Sequence, residues 1–418
     1  MGIKRRALGI VAVAALAGVV ATTAVGAHSS DPGITKTSIK IGGTFPLTGV
    51  ASAYKTIPLA EQAYYSYVND HGGVNGRKIN FTVLDDAYNP AQTVPLTQQL
   101  VQQNKVFAIV GSLGTAPNLA VWGYTNSHKV PQVFLATGDS YWGNCVHQAC
   151  LGSAKPYTIG WQPDYPAEGR LYGKYIAKNM PNAKIGILYQ NDAFGKNYIA
   201  GMVQGLGAKK GLIVDKEGFN ATDTVVTQQV LALKAKGADT FFIVATPGQA
   251  IAALVTATKI GWSPTTFLAN VSNIRPFLLI AAANGAKLDG LISSGYLASQ
   301  TTQPSLAGMK LGKAIIAKYQ PGLLADWAAG DSNLVYGLGV AWNFVYALKQ
   351  AGQNPTRASL MQSLRSMNTT KDPFVYPGIR IRTGARDGFP IEQLIMNKWS
   401  GGSDGAMHPF GPLLTVGH

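Results

Sequence analysis

A chain of 418 residues exceeds the roughly 100–200 residues of one domain and allows two or three domains, or two lobes and a tail. With 46% hydrophobic residues and only 13% charged, about half the usual share of roughly 25%, the composition excludes a largely disordered chain. The net charge of +15 comes from 35 Lys and Arg against 20 Asp and Glu, spread along the chain with no basic stripe interleaved with aromatics. That spread argues against a nucleic-acid partner and leaves a generally basic surface, or a weak attraction to an anionic cell envelope.

Residues 1–27 have the layout of a secretory signal: Lys4, Arg5 and Arg6, an apolar stretch from Ala7 to about Val20, then small residues ending in Val25-Gly26-Ala27. Cleavage is expected after Ala27; the other reading is an uncleaved anchor, for which the apolar core is short of the ~20 residues of a spanning helix. No cysteine stands at the end of the signal for lipid attachment. The expected location is therefore exported, extracellular or associated with the cell envelope.

After a linker at 28–37, strands and helices alternate. Ser38–Phe45 reads as a strand, Ser52–Asn69 as a helix with apolar residues at helical spacing, and Lys78–Asp86 as a strand. Pro90 opens a helix to about Asn104, Val106–Gly111 is a continuous apolar run typical of a strand buried on both faces, Pro117 starts a helix, and Val130–Ala136 is a strand. Cys145 and Cys150 are the only cysteines; in an oxidising compartment they are expected to close one small disulfide loop.

A second series follows: strands at Ala183–Gln190, Leu212–Phe219, Asp239–Ala245, Thr265–Ala269 and Asp289–Leu297, separated by helices. Two such series predict an α/β chain with two doubly wound parallel-sheet lobes. Asn333–Ala351 is a long aromatic-rich helix, strands are expected after about Ile379, and the Gly- and Pro-rich residues 401–418 read as a loose tail.

The loop "GSLGTAP" (Gly111–Pro117) lies between a strand and a helix start. Free main-chain amides there favour an anion such as a carboxylate, and the Thr115 hydroxyl is either a ligand donor or the cap of its helix. The loop lacks the third glycine of a dinucleotide fingerprint and the Walker lysine. No G-x-S-x-G or H-E-x-x-H occurs, and the six histidines are scattered, so no enzyme, cofactor or metal is expected.

In order and spacing, "IKIGGTFPLTG" (Ile39–Gly49), "HGGVNGRKINFTVLDDAYNP" (His71–Pro90), "AIVGSLGTAP" (Ala108–Pro117), "AKIGILYQNDAFGKN" (Ala183–Asn197) and "LKAKGADTFFIVATPGQA" (Leu233–Ala250) resemble the leucine/isoleucine/valine-binding proteins. These are the class I solute receptors of ABC importers. The resemblance runs from Ile39 to about Trp399 and implies a class I periplasmic binding protein fold. Its two lobes would be joined by three crossings, near Gly160, Ser294 and Gly384. Lobe 1 would be residues 38–160 plus 295–384, and lobe 2 residues 161–294 plus 385–400. The implied protein is a monomer that captures a small organic solute, catalyses nothing, and delivers its cargo to ABC transporter permease subunits. The alternative is an exported sensory or receptor-type binding protein without a transporter.

The resemblance also implies site residues. Thr115 takes the hydroxyl position of the carboxylate grip, and Ala136 and Gly138 the second-loop positions, Gly138 standing where a hydroxyl residue is frequent. Tyr54 takes the place of an aromatic over the ligand side chain, or is a core or surface tyrosine. Phe194 replaces a cleft tyrosine, Thr246 and Pro247 replace another cleft aromatic, and Val271 replaces the acid that pairs with the ligand ammonium. Unless Asp139, Asp192 or another acid substitutes, the cleft is not expected to favour a free α-amino acid; "YTIGWQPDYPAEG" (Tyr157–Gly169) resembles a variant within the family whose cargo includes aromatic acids and other non-amino-acid ligands, which implies an aromatic carboxylate or an amide. Trp161, Gln162, Tyr165 and Glu168 stand at the first crossing, and Tyr141 and Trp142 either face the cleft or cover the disulfide loop.

Overall fold

The computed structural model describes Met1–Gly2 and residues 31–143 and 155–416. The expected signal segment and the Cys145–Cys150 disulfide lie outside the described residues. From Asp31 on, the chain forms one compact unit built on two sheets.

The first sheet gathers the first series of strands. β1 (Ser38–Phe45) leads through α1 (Thr56–Asp70) to β2 (Lys78–Asp85), and α2 (Pro90–Gln98) with a π-helical turn leads to β3 (Ala108–Val110). α3 (Thr115–Ser127) leads to β4 (Gln132–Leu135), and β5 (Thr158–Gly160) closes the sheet. The strand order is β2-β1-β3-β4-β5, with every pairing parallel. The apolar run in β3 and β4 is buried at every residue because helices cover both faces.

The chain then passes to the second sheet. α4 (Tyr165–Asn179), β6 (Ile185–Gln190), α5 (Ala193–Leu206), β7 (Ile213–Phe219), α6 (Thr227–Ala235) and β8 (Thr240–Val244) come first. α7 (Pro247–Lys259), β9 (Thr265–Leu268), α8 (Arg275–Ala283) and β10 (Ile292–Gly295) follow. After β10 the chain returns to the first lobe as α9 (Ala307–Tyr319), α10 (Leu324–Ala329), α11 (Ser332–Gln350) and α12 (Arg357–Leu364), and α11 packs on α1. A small ribbon of β11 (Asn368–Thr369) and β12 (Ile381–Arg382) precedes the last passage, into β13 (Gln393–Ser400) and β14 (Ala406–Thr415).

The second sheet has the order β14-β13-β10-β9-β8-β6-β7; β13 runs antiparallel to β10 and β14 antiparallel to β13. The expectation of a loose tail is thus corrected. Residues 406–415 form an edge strand, and Pro409 and Pro412 are tolerated there because an edge strand can leave main-chain groups unpaired. Val416 continues the attachment, its amide donating to Glu392 O and its carbonyl accepting from Arg170.

Two helices of the second lobe approach at main-chain distance. A β-carbon on Gly169 or Gly173 of α4 would stand 2.4 or 2.5 Å from a carbonyl of α5, and one on Gly201 or Gly205 of α5 would stand 2.2 or 2.3 Å from a carbonyl of Pro166 or Arg170. This reciprocal packing brings the start of α4 against α5, so that the Tyr165 and Phe194 rings meet edge to face at 5.1 Å.

Candidate ligand site between the lobes

A cavity with about 600 Å3 of empty space, part of it open to solvent, lies at the carboxyl ends of both sets of parallel strands. Ligands of open α/β sheets gather at that position. The first lobe contributes Tyr54 and Ile57 at the start of α1, Tyr88 after β2, Leu113 and Gly114 after β3, Ala136 after β4, and Ser332, Asn333 and Tyr336 of α11. The second contributes Gln162 and Tyr165 before and at the start of α4, Phe194 of α5, Thr246 after β8, and Asn270, Val271 and Ile274 after β9. Tyr296 and Leu297 follow β10. Six aromatics and several amides or hydroxyls make the wall, and among the described residues no Asp, Glu, Lys, Arg or His lines it.

Each lining group has a local reason for its place. Ala87 and Tyr88 both hold left-handed backbone, at φ 50° and 62°, a costly conformation outside glycine. Two adjacent aspartates impose it: Asp85 Oδ1 accepts from the Ala87 amide at 2.9 Å, and Asp86 Oδ1 from the Tyr88 amide at 3.0 Å. Burial pushes Asp85 up, but hydrogen bonds from Thr48, Ala87 and Leu47 outweigh it and hold the carboxyl below its usual range; burial raises Asp86. The Tyr88 ring lies over Gly114, where φ is 103° and a β-carbon would come within 2.6 Å of it.

Tyr54 spans the cleft. Its hydroxyl donates to the Val271 carbonyl at 3.0 Å, joining the first lobe to the second. Tyr336 donates to Gln162 Oε1 at 2.9 Å, and its ring meets Trp161 edge to face beneath the wall. Asp331 caps α11 through the Asn333 amide and accepts from Thr56 at 2.7 Å, which fixes Ser332 and Asn333; burial pushes it up to about 6.

Of the site positions implied by the resemblance, Tyr54, Ala136, Phe194, Thr246 and Val271 line the cavity, as do Gln162 and Tyr165 from the first crossing. Thr115, Gly138 and Pro247 do not. The Thr115 hydroxyl is paired with Thr137 at 2.6 Å and caps nothing, since Gly114 is the cap residue of α3. Tyr165 shows what the pair supports. Burial pushes its phenol up to about 12, and the neighbouring Thr137 and Thr115 hydroxyls draw it partly back. A β-carbon on Gly138 would stand 2.8 Å from the Tyr165 ring, so Gly138 is the floor beneath that ring.

The acids that might replace the one missing at Val271 are engaged elsewhere. Asp139 accepts from Asn197 at 3.0 Å and from the Tyr141 amide, and burial pushes it up to about 6. Asp192 caps α5 and accepts from Gln190 at 2.5 Å. Glu168 accepts from Tyr172, Tyr198 and the Asn270 amide at 2.5–2.7 Å, and so positions Asn270 in the wall. Trp142 packs with Leu135 and Phe389, and Tyr141 is largely exposed; neither lines the cavity.

Sequence reasoning missed Tyr88, Asn270, Tyr296, Ser332, Asn333 and Tyr336 as wall residues. Position just beyond a strand's carboxyl end could have found Tyr88, Asn270 and Tyr296; Tyr336 sits within an apolar helix and carries no such mark.

The sequence profile of the periplasmic binding proteins matches residues 38–406. The chain belongs to the periplasmic binding protein family. Among curated members, a Leu/Ile/Val-binding protein homolog 2 from Brucella abortus (strain 2308) is 26% identical over 216 residues, which are 49% of this chain and 53% of that protein. The chain thus spans about half the length of the curated relatives it matches. Solved periplasmic binding proteins share the fold over most of their length. A fatty acid ABC transporter substrate-binding protein from Thermomonospora curvata superposes with a TM-score of 0.77 at 24% identity, over 92% of this chain and 94% of that one. A branched chain amino acid ABC transporter from Thermus thermophilus with bound valine gives 0.78 at 19%, over 91% and 97%. A solute binding protein from Rhodopseudomonas palustris BisB5 in complex with 3,4-dihydroxy benzoic acid gives 0.71 at 21%, over 90% and 98%.

Proposed function

We propose that this protein is an exported solute receptor that captures a small organic molecule in the interlobe cavity and presents it, as a monomer, to the permease subunits of an ABC importer. Residues 38–160 plus 295–384 and residues 161–294 plus 385–400 act as the two lobes, the second extended by β14. They close as hinged bodies on the ligand.

The observation that carries this reading is the wall itself: rings from both lobes, amide and hydroxyl groups, no charged side chain, and Tyr54 joined to Val271 across the gap. Tyr54, Ala136, Phe194, Thr246 and Val271 touch the ligand, while Thr115 and Gly138 support Tyr165 from behind and Pro247 opens α7. An ammonium buried here would lack an acidic partner, a cost of roughly 3–5 kcal/mol. The cargo is therefore an aromatic or otherwise apolar carboxylate or amide in preference to a free α-amino acid. Relatives of the same fold whose names refer to fatty acid, or that hold dihydroxybenzoate, support that direction.

A thermal-shift screen of the full chain against branched-chain amino acids, aromatic carboxylates, fatty acids, amides and sugars tests it, because a ligand of the folded state raises the melting temperature. Shifts with organic acids or amides and none with leucine or valine are expected. A shift with leucine comparable to that with the best acid would refute the specificity. Silence across the whole panel would refute small-molecule capture of this class.

A further inference from the structure

Asn270, Tyr296, Leu297 and Ser332 line both the aromatic cavity and an adjoining second chamber of about 750 Å3 empty volume, part of it open to solvent. The chemistry changes from one to the other. The second chamber is lined by Ser299–Gln303, Asn397 and Arg275, beside Tyr376, Ile395, Met407 and Pro409.

Arg275 is held in place. Its Nε donates to Gly405 O at 2.9 Å, one terminal nitrogen to Ala329 O at 3.0 Å and the other to Asp404 O at 2.9 Å. A guanidinium carries five N–H donors, so one remains on each terminal nitrogen. Among the described residues no carboxylate forms an ion pair with it. A half-buried cation satisfied only by carbonyl dipoles is incompletely compensated, and its two remaining N–H groups can each donate to a carboxylate oxygen.

We propose that the ligand is elongated, with its uncharged body among the tyrosines of the cleft and a terminal carboxylate on Arg275 in the second chamber. This rests on the reading of the cleft as a solute site, and it supplies the counter-charge that the cleft wall lacks.

Calorimetric titration of the full chain with benzoate, 3-phenylpropanoate, 6-phenylhexanoate and 6-phenylhexanamide tests the proposal. Affinity rises along the acids. The amide binds roughly ten- to a hundredfold more weakly than its acid, the usual consequence of losing a charge-assisted hydrogen bond. Arg275→Gln brings the long acid down to the level of the amide while leaving benzoate unchanged. Because Arg275 ties three carbonyls, its replacement can loosen the fold, so the comparison of acid with amide in the unaltered protein stands as an independent measurement. Equal affinities for acid and amide overturn the proposal, as does benzoate binding as tightly as the longest acid, which would place the charge at the start of α3. Failure of all four probes, when some member of the broader screen binds, overturns this inference alone; silence in both sets overturns the cleft reading with it.

Discussion

Tyr54 contributes one hydrogen bond, yet that bond runs from one lobe to the other. Tyr54→Phe keeps the ring and removes the link. A lost hydrogen bond of this kind costs about 1 kcal/mol, so ligand affinity should fall about fivefold, measured by calorimetry, with the melting temperature of the free protein almost unchanged. Equal affinity for the variant would show that the bond plays no part in closure. Glu61 is a different kind of residue. It is fully buried one turn below Ile57, both its carboxyl oxygens lack partners, and burial alone raises its pKa well above the usual range. A raised carboxyl stabilises the fold fully at low pH, and that contribution is lost as pH climbs through the folded value. Glu61→Gln should therefore flatten the decline in stability as pH rises above the ordinary carboxylate range, in denaturant melts compared at pH 5 and pH 8. A parallel decline in both proteins would mean that Glu61 does not titrate in that range. At this scale the sequence was readable where the resemblance set a residue against a cleft position, as at Phe194 and Val271, both of which line the cavity. It misled at Thr115, because position after a strand does not say whether a hydroxyl faces the cleft or, as here, turns inward to Thr137.

Among the elements, the α4–α5 pair packs at main-chain distance from both sides. Glycines four apart on each helix press against the other's carbonyls, so a methyl group at Gly201 meets the Pro166 carbonyl, a main-chain atom that cannot rotate away. Gly201→Ala should cost about 1–3 kcal/mol in urea unfolding, the usual range for overpacking a tight contact. It should also weaken ligand binding by parting Tyr165 from Phe194. A loss below about 0.5 kcal/mol, the level of an ordinary surface substitution, would show that the helices can slide apart freely. Strands with continuous apolar runs, such as β3 and β8, were legible because burial on both faces leaves a pattern that needs no context. β14 was not, since its prolines and Gly411 break every periodic signal and its strand character comes from pairing with β13. α4 was also passed over: its glycines look like breakers until the partner helix that requires them is in view.

For the molecule as a whole, the lobes are joined by three passages of chain, after β5, after β10 and before β13. If they act as hinged bodies, the radius of gyration from small-angle scattering should fall when a ligand found in the screen is added to saturation. An unchanged scattering profile under saturating ligand would show a rigid receptor instead. The two-sheet architecture was legible from the alternation of strands and helices, and the missing acid at Val271 from the resemblance, but the depth of the cleft and its cross-lobe contacts were not. Depth and contacts arise from residues that the chain brings together from distant positions, such as Tyr54 with Val271 and Tyr336 with Gln162.

The last of these passages also governs timing. All five strands of the first sheet lie before residue 161, whereas the second sheet is finished only by β13 and β14, far downstream of its other strands. During synthesis or translocation, β10 stays an open edge until the hairpin of residues 393–415 emerges. A chain still in transit has one complete sheet and one incomplete sheet, although every residue that lines the cavity is at or before Tyr336. The hairpin therefore closes the second sheet behind a cleft wall whose residues have all already emerged.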